Sequence, residues 1–228
     1  MGEPGDIGRA RLEEIKYDTG YDREGYVAAM LDGVEALDLS GDPALERAQQ
    51  LIGNWDLFAD NVGRGDAIAL LMIRPYMGAD YQNGEIPDHR AELQRSADHL
   101  MEHFGRLDPP MSDLLRLRQG TGSNRVDLPL DGGSDTLRAS TLWNVNDDGR
   151  LAVRHGDSFI QFVEWEPGQR VRSESIQPFG AATTRTGSRH YTDQMSLFIQ
   201  HKLKPVHFWR VDVMRNAASR KIVTSRRD

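Results

Sequence analysis

The chain has 228 residues, a formal net charge of -7, 28% charged residues and 38% hydrophobic ones. That balance argues against a polyanion such as nucleic acid as a partner. The absence of cysteine excludes a disulfide framework, a thiolate metal site and a cysteine nucleophile. A chain of this length makes one or two domains and can bury roughly 70–75% of its unfolded surface, so a sizeable core is within reach.

The first twenty residues carry Glu3, Asp6, Arg9, Arg11, Glu13, Glu14 and Lys16 and hold no apolar run of signal-peptide length. No later window approaches the ~18 consecutive apolar residues of a spanning helix, so no membrane role is expected. The first half then reads as helices. Arg9 to Lys16 puts Leu12 and Ile15 on one side, and Asp22 is positioned to cap a helix carrying Tyr26, Val27, Met30, Val34 and Leu37. Asp42-Pro43 is a stronger start signal: the aspartate can accept orphan amides, and proline at the first helical position loses no donor. Gly53 stops that helix. Ala67 to Ile73 is a short apolar run ahead of Pro75. Asp88 to Phe104 is the longest helix, buried through Leu93, Ala97, Leu100, Met101 and Phe104, and Met111 to Leu117 reads as one more.

From Gln119 the character changes. Gly120, Gly122, Gly132 and Gly133 punctuate a loop around Val126 to Leu130. Thr136–Val145, Leu151–Arg154, Ser158–Trp165 and Arg170–Ile176 are strand candidates, antiparallel by their short spacing, with turns at Asn146 to Gly149 and Glu166 to Gly168. Tyr191 to Leu203 returns to helix, and Val206 to Trp209 offers a final strand. The fold class is α+β, with a mainly helical segment over 1–118 and a strand-rich segment with a closing helix over 119–228, both in one domain. Basic residues gather at the end in Arg215, Arg220, Lys221, Arg226 and Arg227, as a solvated terminus would have them.

Three constellations tempt a catalytic reading. His99-Leu-Met-Glu-His103 spells an inverted zincin pattern, two histidines one turn apart with Glu102 to activate water. Both histidines fall away from the buried stripe, and only scattered carboxylates such as Glu164 or Glu174 could add a third ligand. Ser188, His190 and Asp193 lie within six residues, and His155, Asp157 and Ser158 within four. Spacing that tight favours caps and turns over a triad, whose members come from separated elements, and Asp193 suits a helix's first turn.

Gly187-Ser-Arg-His-Tyr-Thr-Asp-Gln194 leads an amphipathic stretch that runs on to Lys204-Pro205 and Trp209-Arg210. Together with Asn54-Trp55-Asp56, Arg118-Gln-Gly120, Asp127 to Gly133, Leu137-Arg138, Gly156-Asp157-Ser158, Phe162 to Trp165 and Pro167-Gly168, it resembles, in order, the distal β chain of the penicillin acylase family, and especially its acyl-homoserine-lactone acylase branch. The likeness covers most of residues 8 to 215. It implies a four-layer αββα N-terminal-nucleophile hydrolase that cleaves linear amides through an acyl-enzyme. In such enzymes the serine's own α-amino group is the base, and a main-chain amide with an asparagine forms the oxyanion hole. A downstream arginine orients that machinery. Arg11, in Arg11-Leu-Glu-Glu-Ile15, is the candidate, with Arg9 as the near alternative.

The resemblance also marks what is missing. Gly2 follows Met1, and Ser123-Asn124 is followed by Arg125 and Val126 where the family carries a tryptophan shortly after. Only 106 residues remain from Ser123 to Asp228, too few for a catalytic half. Neither nucleophile, oxyanion asparagine nor ligands for the family's structural calcium can be assigned, so no cofactor is expected in this chain. The expectation is a C-terminal fragment whose helices and strands leave a core face open. It would be completed by an upstream acylase polypeptide (the α chain and the N-terminal part of the β chain) and act on a small-molecule amide. A non-catalytic binding or assembly module is the alternative. The resemblance implies a periplasmic or secreted location, although no signal peptide is visible in this chain.

Overall fold

Helix start signals and apolar spacing build the first half. In the computed structural model, which describes residues 7–221 without the side chains of 142–144, helices α1 (Arg9–Lys16), α2 (Gly25–Glu35), α3 (Pro43–Gly53), α4 (Asp66–Tyr81) and α5 (His89–Phe104) follow in order. Asp42 caps α3 through Leu45 N–H at 3.2 Å, and Asp88 caps α5 through Ala91 N–H at 2.8 Å, each holding a donor that the first turn leaves orphaned. The cap expected at Asp22 is not formed. Helix α2 begins after Glu24, with no side-chain cap. Met30 and Val34 from α2, Leu45 and Ile52 from α3, Ile68, Met72 and Ile73 from α4, and Leu93 and Leu100 from α5 are buried in one core. Met101 is not part of it and stands half exposed.

Helix α4 runs through Pro75 instead of ending before it. A proline inside a helix costs about 3 kcal/mol, but the buried run Ala67 to Ile73 and Tyr76 hold both flanks in the core. Tyr76 Oη sits 2.6 Å from His89 Nδ1, tying α4 to α5. At the start of α4, Asp66 is almost wholly buried. Its Oδ2 accepts Gly63 N–H at 3.1 Å, while Oδ1 is buried without a hydrogen-bond partner. Burial first, then the Asp60 and Asp56 carboxylates, push the Asp66 pKa up to about 7.

Helix α6 (Met111–Leu114) is shorter than the expected Met111–Leu117, because β1 (Leu115–Gln119) takes over. The reason is a change of period. In Leu115-Arg-Leu-Arg118 the leucines are buried, and both arginines reach Asp127, Arg116 at 2.7 Å and Arg118 at 3.0 Å. Asp127 lies on β2 (Val126–Pro129), a strand inside the region read as loop, paired antiparallel with β1 after a single 3-10 turn, Gly122–Asn124.

Strands β3 (Ser140–Val145) and β4 (Leu151–Gly156) form a hairpin around the expected Asn146–Gly149 turn. Strand β4 also pairs parallel with β1, so the sheet order is β2-β1-β4-β3 and not wholly antiparallel. A second sheet contains β5 (Ile160–Glu164), β6 (Arg172–Ile176) and the two-residue β7 (Lys204–Pro205) in that order, all antiparallel. The Tyr191–Leu203 helix shrinks to one turn, α7 (Met195–Phe198), and soon afterwards His201 takes φ +55°, a left-handed backbone that cannot continue a helix. The final strand lies two residues earlier than Val206–Trp209, extended only by Val206 N–H to Ser173 O, and helix α8 (Arg210–Asn216) follows. The architecture is mixed α+β. Of the terminal basic residues, Arg226 and Arg227 lie outside the described part.

Candidate functional site

The glycine-rich segment after β2 brings a cation into the core. Gly132 has φ +80°, and a Cβ there would lie 2.1 Å from Arg138 O, so only glycine lets the chain double back on Arg138. Arg138 is completely buried. Its guanidinium donates to Asp131 at 3.1 Å, to Asp157 at 3.2 Å and to the Phe198 carbonyl at 3.4 Å, and stacks 4.2 Å from the Phe198 ring. Lys16 Nζ adds a 2.8 Å bond to Asp157 from α1. His201 Nε2 lies 2.8 Å from Asp131 Oδ2 and its ring stacks on Tyr17 at 4.2 Å. Burial alone would raise the Asp131 pKa, but His201 and Arg138 outweigh it and hold the carboxyl below its usual range. Burial pushes the Tyr17 hydroxyl up. A buried charge is tolerable only when paired in this way. The cluster joins α1, the 131–138 loop, the end of β4 and α7.

Above this cluster the surface opens in two connected spaces. A cavity of about 230 Å³ lies among Leu117, Leu130, Val153, Phe179 and Phe198, with Asp157 at its edge. A polar cleft of about 1290 Å³ adjoins it, sharing Val153, Arg154, His155 and Phe179, and is lined further by Arg74, Arg118, Arg125, Asp147 and Asp148. Arg118 is pinned to Asp148 at 2.5 Å, and this pairing holds the Asp148 pKa down to about 2.

The sequence candidates are distributed differently. Arg11 is exposed and bonds to Glu14 at 2.9 Å. Arg9 is half buried, bonded to Glu13, Glu164 and Glu174 at 2.6–2.9 Å, with its guanidinium 4.2 Å over Phe162. His99 Nε2 lies 2.8 Å from Gly149 O and His103 is exposed, with no group of three metal-binding side chains among the described residues. His190 Nδ1 lies 2.6 Å from Asp193, while Ser188 Oγ accepts His190 N–H at 3.1 Å, a turn and not a relay. Asp157 is committed to Lys16 and Arg138, which takes it out of any set with His155 and Ser158. Ser123 sits within the 3-10 turn of a continuous chain, so its nitrogen is an amide with no basic lone pair. Sequence reasoning missed Arg138 and Asp131 as a pair: the arginine's partners at 131, 157 and 198 are too scattered to form a motif.

A helical layer followed by two small sheets, tied by an internal arginine cluster, is consistent with a piece of an N-terminal-nucleophile hydrolase fold. The penicillin amidase family model matches residues 3–215, nearly the whole chain, and the chain therefore belongs to the penicillin amidase family. The family's description makes it one of acylase-type amidohydrolases. No curated protein matches the chain.

Proposed function

We propose that this chain is the distal part of an acylase that hydrolyses linear amides and releases an acyl group, close to the acyl-homoserine-lactone acylase branch, and that an upstream polypeptide supplies the nucleophilic serine, its amine and the oxyanion asparagine. The observation that carries the reading is the family match across residues 3–215. Exposed apolar surface supports the need for a partner: Trp165 is 73% and Phe159 52% exposed beside the edge strand β5, and α8 buries none of its residues. Unpaired strand edges with apolar side chains call for cover. Arg11 remains the positioning candidate in that assembly, since its side chain is free of other elements, whereas Arg9 is committed to three carboxylates. The expected setting is the periplasm or outside the cell; no helix among the described residues is long and apolar enough to cross a membrane.

The test is reconstitution. The purified chain is assayed on acyl p-nitroanilides and acyl-homoserine lactones, alone and with the polypeptide encoded upstream. The reading expects hydrolysis only in the mixture, with Arg11→Ala lowering kcat more than KM. Turnover by the lone chain, or none in a mixture that forms a stable complex, overturns it; the second outcome would favour the assembly-module alternative.

A further inference from the structure

Asn83-Gly84 is the one asparagine in the sequence followed by glycine; the other asparagines precede Trp55, Val62, Arg125, Val145, Asp147 and Ala217. The neighbour matters because a main-chain nitrogen can attack the side-chain carbonyl carbon of the preceding asparagine, and it does so most freely where no Cβ crowds the approach. The pair closes helix α4. Asn83 N–H donates to Asp80 O at 3.1 Å and Gly84 N–H donates to Ala79 O at 2.8 Å, with Asn83 in the left-handed region at φ +49°. These are the two bonds and the left-handed residue of a Schellman cap, a position that glycine usually fills and that asparagine tolerates. Both residues are exposed. While the cap is closed, the bond to Ala79 O holds the Gly84 nitrogen out of reaction, so the turn must open first. Little resists opening. Gly78 weakens the last turn, Asp80 stands at the negative end of the helix dipole, no basic residue offsets it, and Asp80 and Tyr81 are exposed.

We propose that Asn83 is a self-modifying site, converted through a cyclic imide to isoaspartate and aspartate when the last turn of α4 opens. In the open turn the Gly84 nitrogen gives its proton to solvent base and bonds to Asn83 Cγ. The Cγ–Nδ2 bond breaks, and Nδ2 takes a proton from solvent and leaves as ammonia. Water then adds to one of the two ring carbonyls, which returns the ordinary main chain as aspartate or routes the main chain through Cγ as isoaspartate. Either product sets a new carboxylate near Asp80 at the negative end of α4. Isoaspartate also lengthens the main chain by one carbon, which carries Gly84 N–H away from Ala79 O and makes the opening permanent. The effect reaches Tyr81, the last residue of α4, whose hydroxyl donates to Asp135 in the loop that carries Arg138. This chemistry needs only solvent water and goes beyond the hydrolytic reading, on which it does not depend.

Ageing the purified full-length chain in mildly alkaline buffer tests it. Peptide mass mapping locates each conversion of amide to acid, and labelling by an isoaspartyl methyltransferase reports the isoaspartate. Asn83 is expected to convert ahead of every other asparagine, with isoaspartate among its products and faster hydrogen exchange across 79–84 in the converted fraction. Gly78→Ala, whose added Cβ meets nothing within 4 Å, removes the cost of glycine in a helix and should slow conversion about twofold to fivefold. Asn83→Gly should abolish it and keep the cap, read as unchanged exchange at Gly84. The time course of the unaltered chain decides the matter even if a variant fails to fold. Asn83 surviving while a peptide of residues 79–86 converts in the same buffer, another asparagine converting first, or an equal rate in Gly78→Ala would overturn the proposal. Such a result leaves the hydrolysis proposal intact, because that is read by turnover in the reconstituted mixture.

Discussion

Asp66 offers a quantitative check on the interior. As the first residue of α4 it profits from the helix dipole, typically 0.3–1 kcal/mol for an anion in the first turn, but loses more by desolvation and by facing Asp60 and Asp56, so its pKa rises to about 7. At ~1.4 kcal/mol per tenfold in proton affinity, the distance from an ordinary aspartate near 4 sets a ceiling of about 4 kcal/mol. Local relaxation and the high effective dielectric found even at buried sites bring the working figure down to about 2 kcal/mol. The sign follows from proton uptake. Between about pH 4 and 7 the folded state holds a proton on Asp66 that the unfolded chain has lost, so the stability gained by keeping the group neutral is complete below about pH 4, is lost as pH rises to 7, and changes no further above. Asp66→Asn removes the charge with little change of shape. At pH 8 the variant is expected to be about 2 kcal/mol more stable, some 4–8 °C in Tm for a chain of this size, and at about pH 3.5, below the pKa of an unfolded aspartate, the two should coincide. Scanning calorimetry at the two pH values measures this. A variant less stable than the parent at pH 8, or a difference unchanged between pH 8 and pH 3.5, would refute the reasoning.

Other consequences are as definite. Arg138→Ala strands Asp131 and Asp157 without their buried counter-ion and should cost about 3–5 kcal/mol in urea unfolding, with Arg138→Lys losing less. Leu93→Ala, at a fully buried position of α5, should cost about 2–5 kcal/mol by leaving a cavity. Gly149 has φ +76°, and a Cβ there would lie 2.2 Å from the His103 ring; Gly149→Ala is expected to cost about 1–3 kcal/mol, and adding His103→Ala should recover the steric share but not the backbone share in a double-mutant cycle. Zinc at micromolar excess should leave Tm unchanged, because His99 is occupied with Gly149 O; a rise of several degrees would reinstate the histidine pair as ligands.

Much of the helical half was legible because its signals are local. Asp42-Pro43 and Asp88 form the caps that their types suggest, and Leu93, Ala97 and Leu100 are buried as their spacing requires. Errors cluster where a distant partner overrides a local pattern. Leu115 to Leu117 could propagate a helix, but Arg116 and Arg118 find Asp127 across the strand pair, and a parallel neighbour arrives from beyond residue 150. Pro75 stops a helix by local rules and fails to do so here because Tyr76 and its neighbours are locked into the core. The internal arginine cluster was unreadable for the same reason: Arg138 is an unremarkable residue until the turns at 132 and 201 bring its partners around it.

One consequence reaches into biosynthesis. Helix α1 buries none of its own residues, and its side-chain ties to the rest of the chain, Arg9 to Glu164 and Glu174 and Lys16 to Leu137 O and Asp157, span 121 to 165 positions. This helix therefore leaves the ribosome well before the residues that fasten it. At ~5–20 residues per second it must wait roughly seven seconds or longer for its carboxylates to be translated, open to proteases and chaperones throughout. A stalled product ending before residue 137 would carry α1 as a loose handle.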